Sequence, residues 1–143
     1  MSNVVVQLDN NYFVTAQIMA SDMAEFKAQG FEQIINNRPE GESEGQPSEE
    51  SIRLAAEALG MQYVNNPIVL SQLSQQQIDT QEEALLVDKK TLAFCRTGTR
   101  SSVLWVLSET GKGGDYSQLV TEVSGKGFDL ERCAPAMAPF VKG

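Results

Sequence analysis

Histidine is absent from all 143 residues, and that zero excludes more chemistry than any residue that is present. Ser-His-Asp and Cys-His catalysis both need an imidazole, so neither is open to this chain. Zinc loses its commonest ligand too, and with only two cysteines, Cys95 and Cys133, no metal centre is expected. Two thiols in unlike settings are also too few for a disulfide framework, which points to a reducing compartment where a thiol stays free. Basic residues are scarce: 11 Lys and Arg against 19 Asp and Glu give a net charge of −8 and a pI near 4.5. A nucleic acid or an anionic membrane surface needs clustered cations, so neither is expected as a partner. No apolar run approaches the roughly 18 residues that a membrane span requires. The first thirty residues show no basic start followed by an apolar block. The chain reads as one soluble, cytoplasmic domain over residues 1–143, long enough for a single core and too short for two.

What is present is punctuated in a regular way. The β-prone stretches 4–7 and 12–16 are split by Asp9-Asn10-Asn11 and predict a hairpin. Ser21 or Asp22 can cap a helix whose stripe is Met23 and Phe26, closed by Gly30. Residues 31–36 carry Ile34-Ile35, a buried strand in miniature, and the loop at 37–47 follows. A second helix spans about 48–59, with Glu49 and Glu50 in its first turn, and Gly60 ends it. Residues 61–65 form the next strand. Ser74 and Gln77 then make a capping box, flanked by Leu73 and Ile78 as a hydrophobic staple, for a helix running to about Asp88. A strand at 91–94 follows, then a helix from about Arg100 that is apolar on most sides. Asp115 opens a further helix, and the tail with Pro135 and Pro139 reads as a short helix or an irregular arm. Strands alternating with helices about every 30 residues imply an α/β fold, a mostly parallel central sheet with helices on both faces in three layers.

The strand at 91–94 delivers Cys95, and the string Cys95-Arg96-Thr97-Gly98-Thr99-Arg100-Ser101 runs from that cysteine into a helix start. Amides of Arg96, Thr97, Gly98, Thr99 and Arg100 can curl inward as a nest, reinforced by the positive end of the following helix. The Arg100 guanidinium suits two oxygens of a phosphate-like group. Gly98 removes a side chain where an anion would approach the backbone. A cysteine in such surroundings is a candidate nucleophile without any histidine. Ser101 is placed to donate a hydrogen bond to the sulfur. Cys133 lacks such neighbours and reads as an inert buried thiol. Arg38, after the Ile34-Ile35 strand, is either a second positive group at the pocket mouth or a surface arginine paired with Glu40 or Glu42. Gln17 reads as a holder of backbone and Trp105 as core or a wall behind the pocket. No cofactor is implied; the partner is a small anionic or phosphorylated substrate.

The Cys-x-x-Gly-x-Arg-Ser string resembles the active loops of cysteine-dependent phosphatases and of rhodanese-type sulfurtransferases. Thr15-Ala16-Gln17, the Ile35 to Glu42 run Ile-Asn-Asn-Arg-Pro-Glu-Gly-Glu, the Ala56 to Tyr63 run and the Cys95 to Trp105 run together resemble the bacterial phosphatase-like domain also found joined to metallo-β-lactamase-type hydrolases. The resemblance covers roughly residues 4–110. It implies a dual-specificity-phosphatase-like fold, Cys95 as nucleophile, Arg100 as anion ligand, and a phosphomonoester substrate such as phosphotyrosine or another aryl phosphate. Three departures accompany it: four residues, not five, separate Cys95 from Arg100; Phe94 stands where those enzymes have a histidine; and Val69 to Ser71 hold no general-acid carboxylate. Asp79, Glu40 or Glu42 would serve as acid only if a loop folded inward. The shorter arch resembles the sulfurtransferase loop, whose chemistry needs no acid, while the scaffold motifs do not. Phosphatase-like hydrolase, sulfurtransferase or persulfide carrier, and non-catalytic anion-binding module therefore all stand open at this level.

Overall fold

The computed structural model describes residues 4–141. A hairpin opens the chain: β1 (Val6–Gln7) runs antiparallel to β2 (Tyr12–Thr15). A 3-10 turn at Ala20–Asp22 leads into α1 (Met23–Ala28). Asp22 does not cap α1 through its side chain; its carboxylate instead accepts from Met19 N–H at 2.8 Å and caps the preceding turn. The chain continues as β3 (Gln33–Asn36), α2 (Glu49–Ala58), β4 (Gln62–Asn65), α3 (Gln75–Ala84), β5 (Thr91–Phe94), α4 (Thr99–Gly111), α5 (Tyr116–Gly125) and α6 (Ala134–Met137). α3 stops short of the expected Asp88, because the chain must turn back so that Thr91 N–H can reach Asn11 C=O and start β5. Its N-terminus has the expected capping box, with both Ser74 and Gln77 engaged.

The sheet order is β1-β2-β5-β3-β4, and all neighbours except β1 and β2 are parallel. β5 therefore sits in the middle, paired along its whole length with β2 on one side and β3 on the other. The period of two is visible in the burial. Leu92, Phe94 and Ile34 face one layer, with Met23, Phe26, Ile52 and Ala56 of α1 and α2. Ala93, Ile35, Tyr12 and Val14 face the other, with Ile78 of α3, the α4 side chains and Val123 of α5. Both faces are covered, as a parallel sheet requires. α4 is buried on nearly every side from Ser101 to Ser108, which explains why its sequence shows no polar face.

The topology fixes where a site forms. β2 and β3 lead out to α1 and α2 on one face of the sheet, whereas β5 between them leads to α4 on the other, so the connections part at the carboxyl end of β5, the place where ligands bind in open α/β sheets. Among the described residues no helix is long and apolar enough to cross a membrane.

Candidate active site

Cys95 is the first residue past β5 and has 0 % of its surface exposed. Its Sγ accepts a hydrogen bond from Gly98 N–H at 3.1 Å, which closes the arch onto α4. Gly98 is the N-cap of α4 in the left-handed region, with φ +97°. A Cβ there would lie 2.8 Å from Phe128 Cε1, so a side chain is excluded by both conformation and space. The rest of the arch is fastened locally. Ser102 N–H and Oγ both donate to Gly98 C=O, Thr99 N–H donates to Thr97 Oγ1, and Gln17 N–H donates to Arg96 C=O from the neighbouring loop. Of the amides expected to form a nest, that of Gly98 points at the sulfur, while that of Thr99 turns to Thr97.

Backbone pairing continues past the strand ends and carries other loops to the arch. Asn37 N–H donates to Phe94 C=O at 2.8 Å, and Ile68 N–H donates to Asn37 C=O at 3.1 Å. A buried polar network stands behind the arch. Ser101 Oγ donates to Asn37 Oδ1 at 2.8 Å, so the expected Ser101 bond to the Cys95 sulfur is replaced by one to Asn37. The reason is placement: Ser101 lies in the first turn of α4, fully buried, and its hydroxyl meets the amide that β3 extends under the helix. Asn37 Nδ2 donates to Gln81 Oε1 and Asn66 C=O; Gln81 Nε2 donates to Tyr12 Oη, which donates to Ser101 C=O. Burial, opposed by the Gln81 bond, pushes the Tyr12 phenol far above its usual range, so it stays a donor at all physiological pH. Asn37 lies in the Ile35 to Glu42 run but carries no local sign of this role, and nothing in the sequence singles out Asn66 or Gln81.

Arg100 lies in the first turn of α4. Its Nη1 and Nη2 reach the two oxygens of Glu42 at 2.7 Å each, and Nη1 also donates to Ile68 C=O at 3.0 Å. Burial works against its charge, but Glu42 and the adjacent Cys95 outweigh it and raise the guanidinium pKa. Arg38 is 5 % exposed and not the surface residue that one reading expected. Its Nε donates to the same Glu42 Oε1 at 3.0 Å, while Nη1 donates to Gln17 Oε1 and Nη2 to Ser43 Oγ. Arg38 is thus paired with Glu42, the same carboxylate that holds Arg100. Two guanidiniums around one carboxylate leave a local positive charge in an acidic chain.

Carboxylates are otherwise placed away from acid duty. The loop after β4 offers Ile68 C=O and no acid; Asp79 bonds Gln75 on α3, and Glu40 accepts from Glu49 N–H at the start of α2. The Glu42 loop does fold inward, but the Arg100 hydrogen bonds, aided by Arg38 against the cost of burial, hold its carboxyl below the usual range. Glu42 is therefore ionised at neutral pH and has no proton to give. A group with a lowered folded pKa stabilises above its ordinary pKa and loses that contribution as pH falls through the folded value. Thermal melts of the parent and of Glu42→Gln should thus differ by a steady amount from neutral pH down to about pH 5 and draw together only in buffers below the ordinary carboxylate range. Trp105 is core: it lies with Asp9, Leu86 and Glu109 around a hollow at the opposite, amino-terminal edge of the sheet. Burial raises the pKa of Cys133, consistent with an inert thiol.

The fold is that of the phosphatases. The chain aligns with a "putative phosphatase" of Neisseria meningitidis at 26 % identity and a TM-score of 0.80, over 94 % of this chain and 96 % of that one. It aligns at a TM-score of 0.76 and 14 % identity with a kinase associated phosphatase whose catalytic site cysteine is substituted by serine, covering 98 % and 93 % of the two chains. Residues 5–112 match the family model described as the phosphatase-like domain of Beta-lactamase hydrolase-like protein, and the chain belongs to that family. A Beta-lactamase hydrolase-like protein of Agrobacterium fabrum is 34 % identical over 128 residues, which is 87 % of this chain and 30 % of that protein. The chain thus spans about a third of the length of that relative.

Proposed function

We propose that the chain is a cysteine-dependent phosphatase-like hydrolase, with Cys95 as nucleophile and Arg100 as the anion ligand. One observation carries the reading: the Cys95 sulfur sits at the end of the central strand, bonded by Gly98 N–H and adjacent to the Arg100 guanidinium at the N-terminus of a buried helix. In the reaction, the Cys95 thiolate forms an S–P bond as the ester P–O bond breaks and its electron pair leaves with the alcohol oxygen. Water then displaces the sulfur, giving inorganic phosphate and the free thiol. Arg100, the helix terminus and the arch amides would stabilise the charge on the phosphoryl oxygens. Cys133 has no part in this.

With no acid aimed at the leaving oxygen, the chemistry favours alcohols that leave as stable anions. Aryl phosphates should therefore be hydrolysed roughly 10² to 10⁴ times faster than alkyl phosphates, measured as phosphate release by the purified chain. Equal rates on both would require a proton donor that this reading lacks.

A second reading is favoured by that same lack of an acid together with the four-residue arch. The Cys95 thiolate would attack the sulfane sulfur of a donor such as thiosulfate, forming an S–S bond as sulfite leaves with the electrons of the broken bond. Intact mass after incubation with thiosulfate separates the two readings. A gain of one sulfur on Cys95 without aryl phosphatase activity selects transfer; phosphate release without the adduct selects hydrolysis. Failure of both, with oxyanion binding retained, leaves an anion-binding module.

A further inference from the structure

The two ends of the sheet are finished differently. β1 is two residues long, and Lys126 Nζ donates to its outward Gln7 C=O at 2.7 Å, a charged plug of the kind that keeps an edge from pairing. β4 closes the other end of the sheet. Gln62 N–H donates to Glu32 C=O and Asn66 N–H to Asn36 C=O, so along this parallel ladder residues 62, 64 and 66 turn their backbone groups toward β3. The N–H and C=O of Tyr63 and Asn65 therefore face outward. Among the described residues no side chain bonds them, and the strand Gln62-Tyr63-Val64-Asn65 holds neither a charge nor a proline that would blunt the edge.

Beside this edge runs a groove of about 380 Å³ lined by Val64, Ala84 and Val87, with Thr80 and Glu83 of α3. Val87 keeps 38 % of its surface exposed there. On the other face of the strand Tyr63 packs into the layer of α2. Charge decides what fits. α2 carries Glu49, Glu50 and Glu57 against Arg53 alone, and α3 carries Asp79, Glu82 and Glu83 with no basic residue. Lys89 reaches the strand as well, but its Nζ donates to Gln62 Oε1. A second copy of this chain would bring the same acidic helices to the edge and, at −8 overall, would be repelled. We propose that the β4 edge is a docking site for an extended basic segment of another protein, which adds a sixth strand to the sheet. Its backbone pairs with Tyr63 and Asn65, alternate apolar side chains enter the groove, and its lysines or arginines face the acidic helices. β4 stands two strands away from β5, so the proposal is independent of the chemistry assigned to Cys95.

Fluorescence anisotropy with a labelled synthetic peptide of alternating lysine and valine tests this. The control is the same peptide N-methylated throughout, which keeps charge and alternation but has no backbone donors. The parent should bind the first peptide, and N-methylation should weaken binding about tenfold. Asn65→Pro should weaken it to a similar degree. Asn65 is exposed and its N–H faces away from β3, so proline there removes no ladder bond and a thermal melt should show the fold intact. Glu83→Lys should weaken binding in the same direction. In the complex, the Tyr63 and Asn65 amides of the parent should gain protection from hydrogen exchange, a readout that needs no variant. Binding that tolerates both methylation and Asn65→Pro would reduce the attraction to charge alone and overturn the proposal, as would a parent that does not bind the peptide. A parent that is dimeric and becomes monomeric on Asn65→Pro would overturn it in favour of pairing between copies.

Discussion

Replacing Cys95 by serine is expected to reduce aryl phosphate turnover on the order of 10³-fold or more, with little change in folding. Nothing else in the site can take over the attack. The chain has no histidine, Ser101 Oγ is committed to Asn37, and the Thr97 and Thr99 hydroxyls bond to one another at 2.9 Å on the exposed side of the arch. Serine can keep the bond from Gly98 N–H, because its oxygen accepts where the sulfur did, so the arch should survive. The discriminating measurement pairs initial rates with a thermal melt. Comparable turnover in the serine variant would place the nucleophile elsewhere; a collapsed melting temperature would instead mean that the thiol is needed for packing.

Gly98→Ala should be nearly as damaging to activity, for a different reason. The left-handed conformation costs an alanine about 1–2 kcal/mol, and the added Cβ would press on Phe128 at 2.8 Å. Relief of either strain turns the amide away from the sulfur, since Gly98 is also the N-cap that starts α4. We expect a melting temperature lower by roughly 5–10 °C together with a large loss of turnover. A double-mutant cycle with Phe128→Ala separates the two causes. Removing the ring should recover the steric part and leave the dihedral part, so that the double variant melts higher than the sum of the single effects but below Phe128→Ala alone. Full additivity would show that the ring gives way freely and that conformation alone carries the cost.

What the sequence disclosed and what it concealed divide along chain distance. The arch, the capping box at Ser74, the buried α4 and the paired isoleucines of β3 are local patterns, and each reads directly from neighbouring residues. Arg38 with Glu42 is also local, four positions apart, and was one of the two readings of that arginine. Arg100 with Glu42 spans 58 positions and Ser101 with Asn37 spans 64, so both depend on β5 entering between β2 and β3. A serine that follows a cysteine loop invites a bond to the sulfur; only the sheet order brings the asparagine that receives its hydroxyl. The role of Glu42 was hidden in the same way. Among three glutamates in one loop, nothing in composition tells which one meets the arginine from across the sheet.

The central position of β5 and the burial of α4 bear on how the molecule opens. Amides of β5 are held from both sides, and α4 has almost no face to the solvent, so the elements that carry Cys95 and Arg100 can exchange hydrogen only when the whole domain unfolds. The loop with Glu42 is exposed and held by side-chain bonds in place of sheet pairing, so it belongs to the other end of the stability scale. Cys95 and Glu42 thus sit on opposite sides of a boundary in local stability, and the loop can open without the sulfur leaving its place.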